Sequence, residues 1–379
     1  FARRARRERS MGIAAVALLL AIASSGATAQ GAAPANPGVA APVQKSFAKS
    51  QKLPAYTSSA GMLQIGQDPE RPDAEIFHVA YTVKTADPSK RPVTFIFNGG
   101  PGAASIFLHL SGLGPKTLVS AGDGSFPSSP AKLEENPDSW LTFTDLVFVD
   151  PVGTGYSRML PGPDGALRDG KFYASADGDV VSFASFIRQW LTVNKRWGSP
   201  KALAGESYSG QRIAALSKLL AEQYSINLNR AVLLSPAFRM DLSDPRYALV
   251  APITLLPTQA AIAAVHGLNK IGTEPSAMKA VEEFAMNGYL TGLANQGSMS
   301  EKDRAAFHAK VAGLIGIDPV LVARNNGRIS ESVFAANLLA SKGLVLDTYD
   351  GAQTSDNPTP DKGEIGVFDR SITILTGVL

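Results

Sequence analysis

The chain has 379 residues, enough for one large folded domain or for a domain with an insert. Its composition is that of a globular protein, with 45% hydrophobic and 18% charged residues and a net charge of +3. The basic residues are scattered, so nothing indicates a nucleic-acid partner. The absence of cysteine excludes disulfides, thiolate catalysis and cysteine zinc sites. The four histidines lack metal-binding spacing, so we predict no metal and no other cofactor. They are His78, His109, His266 and His308.

The sequence begins with an arginine-rich stretch that precedes an apolar run from Met11 to Ala23. Small residues follow as far as Ala29, a pattern typical of a secretory signal peptide at residues 1–29. A retained membrane anchor is the alternative, although the apolar run is shorter than the ~20 residues that span a bilayer. We therefore expect a periplasmic or secreted protein with no stable membrane span after signal cleavage. Residues 30–60 are rich in Ala and Pro, and we predict that they are flexible and that regular structure begins near Gly61.

Apolar segments alternate with a helical pattern between residues 61 and 238. This region is predicted to be the core domain, with strands at residues 76–83, 93–97, 145–150, 202–204 and 231–236 and a helix at residues 178–194. Strands that are buried on both faces and alternate with helices predict an α/β fold with a mostly parallel sheet. His78 lies inside the first of these strands, so we interpret it as a packed histidine and not a catalytic one.

Helical spacing dominates from residue 239 to residue 344, for example at Met278, Val281 and Ala285. We predict a helical lid insert there and a return to an incomplete core at residues 345–379. His266 and His308 lie in this helical block, where a histidine is usually a surface or interface residue.

The motif GESYSG at residues 205–210 follows an apolar run and precedes an amphipathic one. A serine between small residues at a strand-to-helix turn is typical of a nucleophile elbow, because the turn is tight and the serine backbone is strained. The fit to G-x-S-x-G is imperfect, since Ser209 stands where the last glycine would be. For an isolated match, a plain polar turn is the alternative.

Two more loops follow predicted strands. The motif NGGPG at residues 98–102 cannot continue a strand, and it exposes backbone N–H groups of the kind that an oxyanion hole requires, although a plain turn is the alternative. The motif DPVGTGYS at residues 150–157 lacks the third glycine of a dinucleotide loop, so we interpret it as a wall of the active site.

Together, in this order, the three loops resemble those of the serine carboxypeptidase family of α/β hydrolases, here in a cysteine-free, bacterial-looking form. The resemblance extends from about Phe95 to Pro236 and continues more loosely to the end of the chain. It implies an α/β-hydrolase sheet in which Ser207 is the catalytic nucleophile. It also implies that the N–H groups of Gly100 and Tyr208 form the oxyanion hole.

The same resemblance implies that Asn98, the N–H of Gly99 and Glu206 bind the free carboxylate of a peptide or protein C-terminus. Two carboxylates in hydrogen-bond contact cannot both be ionised at low cost, so Glu206 should be protonated when substrate binds, which implies an acidic preference. The sequence departs from the family pattern at Ile96, where a tryptophan is usual, and at Ala103, where a cysteine is usual.

The larger departure concerns the catalytic base. In this fold the catalytic residues follow one another along the chain in the order Ser, Asp, His, so the base should come after Ser207. Only His266 and His308 follow Ser207, and both lie in the helical block. We expect the Asp and His to lie beyond Leu379 and the chain as given to lack normal activity. The sequence therefore predicts a serine carboxypeptidase. The alternatives are an esterase or acyltransferase on the same scaffold, or an inactive peptide-binding homologue.

Overall fold

The structure is a computed structural model that describes residues 41–66, 71–119, 132–162, 164–166, 170–238 and 249–357. These residues form two compact units, the first reaching residue 238 and the second covering residues 249–357. The predicted signal peptide and the chain after residue 357 lie outside the described residues. Within the described ranges, no helix is both long and apolar enough to cross a membrane.

The first unit contains ten strands among its described residues. They are β1 (Val43–Phe47), β2 (Tyr56–Ile65), β3 (Ala74–Val83), β4 (Val93–Phe97), β5 (Lys116–Leu118), β6 (Leu133–Glu135), β7 (Asp145–Val149), β8 (Arg158–Met159), β9 (Lys201–Glu206) and β10 (Arg230–Leu234). Its helices are α1 (Ile106–Leu108), which continues as a π-helical turn (His109–Leu113), α2 (Ala176–Val193) and α3 (Ser209–Tyr224), with short 3-10 turns at Pro88–Lys90 and Trp140–Thr142.

Eight of these strands form one mixed sheet in the order β1-β2-β3-β7-β4-β9-β10, with β8 paired to β3. The strands β7, β4, β9 and β10 are parallel to one another. The strands β1, β2 and β3 are antiparallel, and β3 joins β7 in an antiparallel pair. The predicted α/β class is therefore confirmed, and its parallel half is the part that carries the three loops.

The centre of the sheet is apolar because both of its faces are covered. Every residue of β4 and β7 is buried, as the uninterrupted apolar runs predicted. Successive residues alternate between two hydrophobic clusters, with Phe95 in the cluster under α2 and α3 and Ile96 in the cluster on the opposite face. His78 is buried in β3 and its ring lies against the ring of Phe186, so it is a packed core histidine, as predicted.

Two expectations about strands are corrected. Regular structure begins before Gly61, because β1 and β2 form an antiparallel pair in which the rings of Phe47 and Tyr56 stack with centroids 4.6 Å apart. The predicted flexible segment therefore ends earlier than residue 60. The strand β10 forms as predicted but is not buried on both faces, since Leu233 is 40% exposed and β10 is the outermost parallel strand of the described sheet.

The second unit is helical, in agreement with the predicted pattern. Its described helices are α4 (Val250–Val265), α5 (Pro275–Phe284), α6 (Leu290–Asn295), α7 (Glu301–Ile315), α8 (Pro319–Arg324) and α9 (Glu331–Asn337), with a π turn at Ala285–Tyr289 and a 3-10 turn at Ala340–Lys342. A hairpin of β11 (Leu344–Leu346) and β12 (Thr354–Asp356) joins their core through Val345 and Leu346. The predicted boundary at residue 345 is thus too early, and the role of this unit as a lid stays a prediction.

Candidate active site

Ser207 occupies a sharp turn between β9, which ends at Glu206, and α3, which begins at Ser209. Its φ angle is +54°, a left-handed conformation that costs a non-glycine residue about 1–2 kcal/mol. The backbone is held there by hydrogen bonds: Ser207 N–H donates to Leu234 O at 3.0 Å, and Ser207 O accepts from the N–H groups of Gly210 and Ala237 at 2.9 Å. This is the predicted strained elbow, at the carboxyl end of a parallel strand.

The glycines of the motif are required by close contacts within the turn. A Cβ atom on Gly205 would lie 2.4 Å from the Cβ of Ser209, and one on Gly210 would lie 2.6 Å from the Cβ of Pro236. Real Cβ atoms do not approach so closely, so neither position accepts a larger residue without a shift of backbone. The small residues predicted to flank the serine are therefore needed for packing as well as for backbone freedom.

Ser209 departs from G-x-S-x-G, and the structure gives the reason. Its side chain is fully buried, and its Oγ donates a hydrogen bond to the backbone O of Asn98 at 2.8 Å. The same Oγ accepts a hydrogen bond from Arg212 Nη1 at 2.7 Å. A serine therefore fits here because its hydroxyl joins the elbow helix to the loop after β4.

The glycine loop lies directly against the elbow, because β4 and β9 are neighbouring parallel strands. A Cβ on Gly99 would lie 2.7 Å from the Cβ of Ser207 and 3.0 Å from the backbone N of Tyr208. The N–H of Gly99 donates to Glu206 Oε2 at 3.3 Å. Gly100 follows with a φ of +107°, which favours glycine. All the residues predicted for the site are thus brought to one edge of the sheet.

Asn98 is buried where β4 ends, and both of its oxygens are used. Its Oδ1 accepts a hydrogen bond from the N–H of Leu108 at 3.0 Å, and its backbone O accepts from Ser209 and Arg212. The side-chain amide is thereby fixed in orientation, and its Nδ2 is the group that could donate to a ligand.

The third loop is fastened to the glycine loop through Asp150. The Asp150 carboxylate accepts from the N–H and the Oγ of Ser105 at 2.8 Å and 2.7 Å. Burial of this carboxyl raises its pKa above the ordinary range. The Oγ of Ser157 donates back to the Asp150 backbone O at 2.8 Å. The sequence predicts this loop only as a wall of the active site, although an aspartate that ends an apolar strand before a glycine-rich loop is a signal for such a contact.

The histidines have partners other than Ser207. In the first unit, His109 Nε2 lies 2.6 Å from Tyr81 Oη and its ring stacks on Phe148, and burial lowers its pKa to about 3. In the second unit, His266 Nε2 lies 2.8 Å from a backbone O, and His308, which is buried rather than on the surface, lies 3.2 Å from Gln296 Oε1. Within the described residues, no cluster of histidine and acidic side chains could hold a metal ion.

A buried ion pair beneath the elbow was missed from the sequence. Arg212 is 1% exposed, and it donates to both carboxylate oxygens of Asp179, with Nε at 2.7 Å and Nη2 at 3.1 Å. Its Nη1 donates to Asn98 O at 2.9 Å. The sequence signal for this pair is that Arg212 stands next to Ile213 on the apolar face of α3 and that Asp179 lies on the buried face of α2.

Family comparison adds the deciding observation to this geometry. The family model of serine carboxypeptidases matches residues 49–241, which is just over half of the chain and includes all three loops. The chain belongs to the serine carboxypeptidase family. The elbow after β9 and the glycine loop after β4 are accordingly parts of an α/β-hydrolase fold, as predicted.

Curated relatives match a limited part of their own length. The chain is 36% identical over 153 residues to serine carboxypeptidase-like 34 of Arabidopsis thaliana, covering 38% of this chain and 26% of that protein. It is 34% identical over 137 residues to pheromone-processing carboxypeptidase kex1 of Sclerotinia sclerotiorum, covering 36% and 19%. It is 27% identical over 180 residues to the lysosomal protective protein of Mus musculus, covering 47% and 33%. Each alignment therefore spans well under half of the relative.

Among solved structures, the chain matches Kex1(Δ)p, a prohormone-processing carboxypeptidase from Saccharomyces cerevisiae, with a TM-score of 0.49 and 20% identity. That match covers 86% of this chain and 62% of the other.

Proposed function

We propose that this protein is a serine carboxypeptidase that hydrolyses C-terminal peptide bonds through an acyl-enzyme on Ser207. The observation that carries the proposal is the contact between Gly99 N–H and Glu206 Oε2, at 3.3 Å, directly beside the Ser207 backbone. This contact puts an amide donor and a carboxyl group next to a serine on a strained elbow. Such a pair suits a substrate that carries its own carboxylate one residue from the bond to be broken.

In the proposed reaction, the Ser207 Oγ attacks the carbonyl carbon of the last peptide bond while a general base takes its proton. The developing oxyanion is proposed to accept hydrogen bonds from the N–H groups of Gly100 and Tyr208, because donors fixed in advance stabilise this charge without a cost of reorganisation. The C–N bond then breaks, the C-terminal amino acid leaves with a proton from the base, and water hydrolyses the acyl-enzyme.

The terminal carboxylate of the substrate is proposed to bind to Asn98 Nδ2, Gly99 N–H and Glu206. Because two ionised carboxylates repel each other at this distance, Glu206 must hold a proton for the complex to form at low cost. Activity on peptides should then rise toward acidic pH. The test is kcat/KM against pH for the wild type and Glu206→Gln, and an unchanged decline toward higher pH in the variant would contradict the role of Glu206.

The proposed function is tested with matched peptides that end in a free carboxylate or in an amide. Where Ser207 has a general base, release of the C-terminal residue from the free acid and its loss on amidation are expected, together with labelling of Ser207 by a fluorophosphonate probe. Ser207→Ala is the control that should lose both signals. Equal turnover of amides and simple esters would instead favour an esterase or acyltransferase on this scaffold.

Peptide binding without turnover is the second candidate function, because the contact between Gly99 N–H and Glu206 Oε2 could hold a peptide carboxylate without any bond being broken. This candidate predicts that free-acid peptides bind more tightly than amides although no product forms, even over long incubation.

We also propose that the protein acts in the periplasm or after secretion. Support comes from the predicted signal peptide and from the similarity to the lysosomal protective protein, whose name places that relative outside the cytosol. Cell fractionation and N-terminal sequencing test this proposal. The expected mature sequence begins after Ala29, and a cytosolic protein with an intact N-terminus would refute it.

A further inference from the structure

Arg212 makes more contacts with its surroundings than an ion pair needs. Its Nε and Nη2 hold Asp179, while Nη1 donates to the backbone O of Asn98 at 2.9 Å and to Ser209 Oγ at 2.7 Å. The guanidinium carbon lies 4.7 Å from the ring centre of Phe183 and 5.2 Å from that of Tyr208. The charge therefore lies in a dry aromatic setting, where hydrogen bonds to it are strong.

The peptide unit that Arg212 contacts is the one that bears the proposed carboxylate donor. The carbonyl of Asn98 and the N–H of Gly99 belong to the same amide group, so they share its electrons. A cationic donor on the carbonyl oxygen polarises that amide and makes its N–H a better donor on the opposite side. On that side, Gly99 N–H already contacts Glu206 Oε2.

We propose that Arg212 is a positioning residue that fixes and polarises the Asn98–Gly99 peptide so that Gly99 N–H binds the terminal carboxylate of a peptide. The inference rests on the proposed function for the identity of the ligand, whereas the effect of Arg212 on the Gly99 amide does not. Asp179 holds the guanidinium in place from α2, and Ser209 aligns the same carbonyl from α3.

A matched control exists in the same unit. Arg196 is also buried, pairs with Asp145 at 2.5 Å and donates to the backbone O of Arg91 at 2.8 Å, far along the strands from Ser207. Arg196→Lys and Arg212→Lys each replace a planar guanidinium that pairs with a buried aspartate by an ammonium group, so the positive charge is kept in both variants. A purely structural role for Arg212 would make the two variants behave alike in every assay except total stability.

The first measurement is the ratio of dissociation constants for a free-acid peptide and its amide, using the full chain. Arg212→Lys is expected to lower the preference for the free acid by about 10-fold, since lysine cannot hold Asp179 and the Asn98 carbonyl together. Arg196→Lys is expected to leave the ratio unchanged. An unchanged ratio in folded Arg212→Lys would overturn the proposal when the wild type prefers the free acid.

The second measurement is the amide proton shift of Gly99 in the ligand-free protein, from glycine-labelled nuclear magnetic resonance spectra. An upfield shift in Arg212→Lys and none in Arg196→Lys is expected. If the wild type does not prefer the free acid, the proposed function fails, and this shift alone decides whether Arg212 acts on Gly99. An unmoved Gly99 signal then overturns the inference.

Should Arg212→Lys fail to fold, Asp179→Asn takes its place, because it leaves the arginine charge but weakens its anchor. A drop of about 3-fold in the free-acid preference and a smaller shift of the Gly99 signal are expected. No change in either quantity would overturn the proposal.

Discussion

Two buried arginine–aspartate pairs lie at opposite ends of the parallel strands, and they differ in what else the arginines contact. At the amino ends, Arg196 pairs with Asp145 and its other donors go to Ser199 and to the backbone of Arg91. At the carboxyl ends, Arg212 pairs with Asp179 beneath the elbow. The Arg196 pair connects segments at the amino ends of the strands. The Arg212 pair instead contacts the backbone O of Asn98 in the candidate site.

The difference lies in the neighbours of the two arginines, since Arg212 contacts the loop after β4 whereas Arg196 contacts Ser199 and the backbone of Arg91. Ligands of open α/β sheets bind at the carboxyl ends of the strands, where loops diverge and leave space. A buried charge at the carboxyl ends of the strands can act on a ligand through a single peptide group. The contacts of Arg196 at the amino ends, with Ser199 and Arg91, hold the fold together. Substitutions at the amino edge should therefore change stability alone, and those at the carboxyl edge should change peptide recognition.

Asp145→Ala should have the largest effect, and it should be on stability. Asp145 is buried and accepts hydrogen bonds from Arg91, from Arg196 and from the N–H of Val83. Its removal leaves two arginines without their carboxylate, which typically costs about 3–5 kcal/mol of unfolding free energy. Urea denaturation measures this loss. The exposed Asp138→Ala serves as the control and should unfold like the wild type, and equal stability of both variants would contradict the comparison.

His78 pairs in register with Val149, the last residue of β7, and it makes the stability of the sheet depend on pH. Burial lowers its pKa to about 4, from about 6.5 in an unfolded chain. As the pH falls from 6.5 to 4, the unfolded state binds a proton that the folded state does not, so the unfolding free energy falls. The whole loss is about 3 kcal/mol, complete below pH ~4 and absent above pH ~6.5.

His78→Gln removes this titration. Between pH 7 and pH 5, the wild type should therefore lose about 2 kcal/mol more unfolding free energy than His78→Gln does. Denaturant titrations at both pH values measure the difference. Parallel losses in the two proteins would show that His78 is not the group responsible.

The parts of this fold that were predictable carry their signals in local sequence. The strands β4 and β7 are unbroken apolar runs, and each is followed at once by a glycine-rich loop, so both the strands and the loops could be placed. By contrast, β1 has the sequence VQKSF, which has little strand signal of its own. Its pairing with β2 and the stacking of Phe47 on Tyr56 stabilise it, and contacts between separate segments leave no periodic pattern.

The candidate site likewise has residues that could be predicted from local sequence and contacts that could not. Ser207, Gly99 and Glu206 could be named from motifs because turn geometry restricts the residues allowed there. The link from Arg212 to Asn98 could not be named, because it joins residues 114 positions apart whose approach depends on the order of strands in the sheet. Single charged residues on apolar helix faces are the one sequence signal that such links leave.

Gly99→Ala should have the largest effect on recognition at the carboxyl edge. The added methyl would lie 2.7 Å from the Ser207 Cβ and 2.8 Å from Glu206 O, so the loop must move away from the elbow. Overpacking of this kind costs about 1–3 kcal/mol. Free-acid peptides should then bind roughly 10- to 100-fold more weakly. Gly112→Ala is the control, since a methyl there meets no atom within 4 Å, and tight peptide binding by Gly99→Ala would contradict the placement of the site.

Ser209→Ala should have the smallest effect, because it removes one of two donors to the same carbonyl. The Asn98 O loses its hydrogen bond from the Ser209 hydroxyl but keeps the one from Arg212 Nη1. One hydrogen bond contributes about 1 kcal/mol, so the preference for free-acid over amidated peptides should fall by roughly 5-fold at most. The ratio of the two dissociation constants, determined by fluorescence anisotropy, measures this change.

The matched control is Ser217→Ala on the same helix, whose hydroxyl donates to the backbone O of Ile213 at 2.6 Å, within α3 itself. It should leave the preference intact, although it too deletes a hydroxyl from α3. If Ser209→Ala and Ser217→Ala retain the same preference as the wild type, then the alignment of the Asn98 carbonyl depends on Arg212 alone. If Ser209→Ala lowers it as far as Arg212→Lys does, then the hydroxyl and not the charge is what orients the peptide, and the contrast between the two arginines would have to be given up.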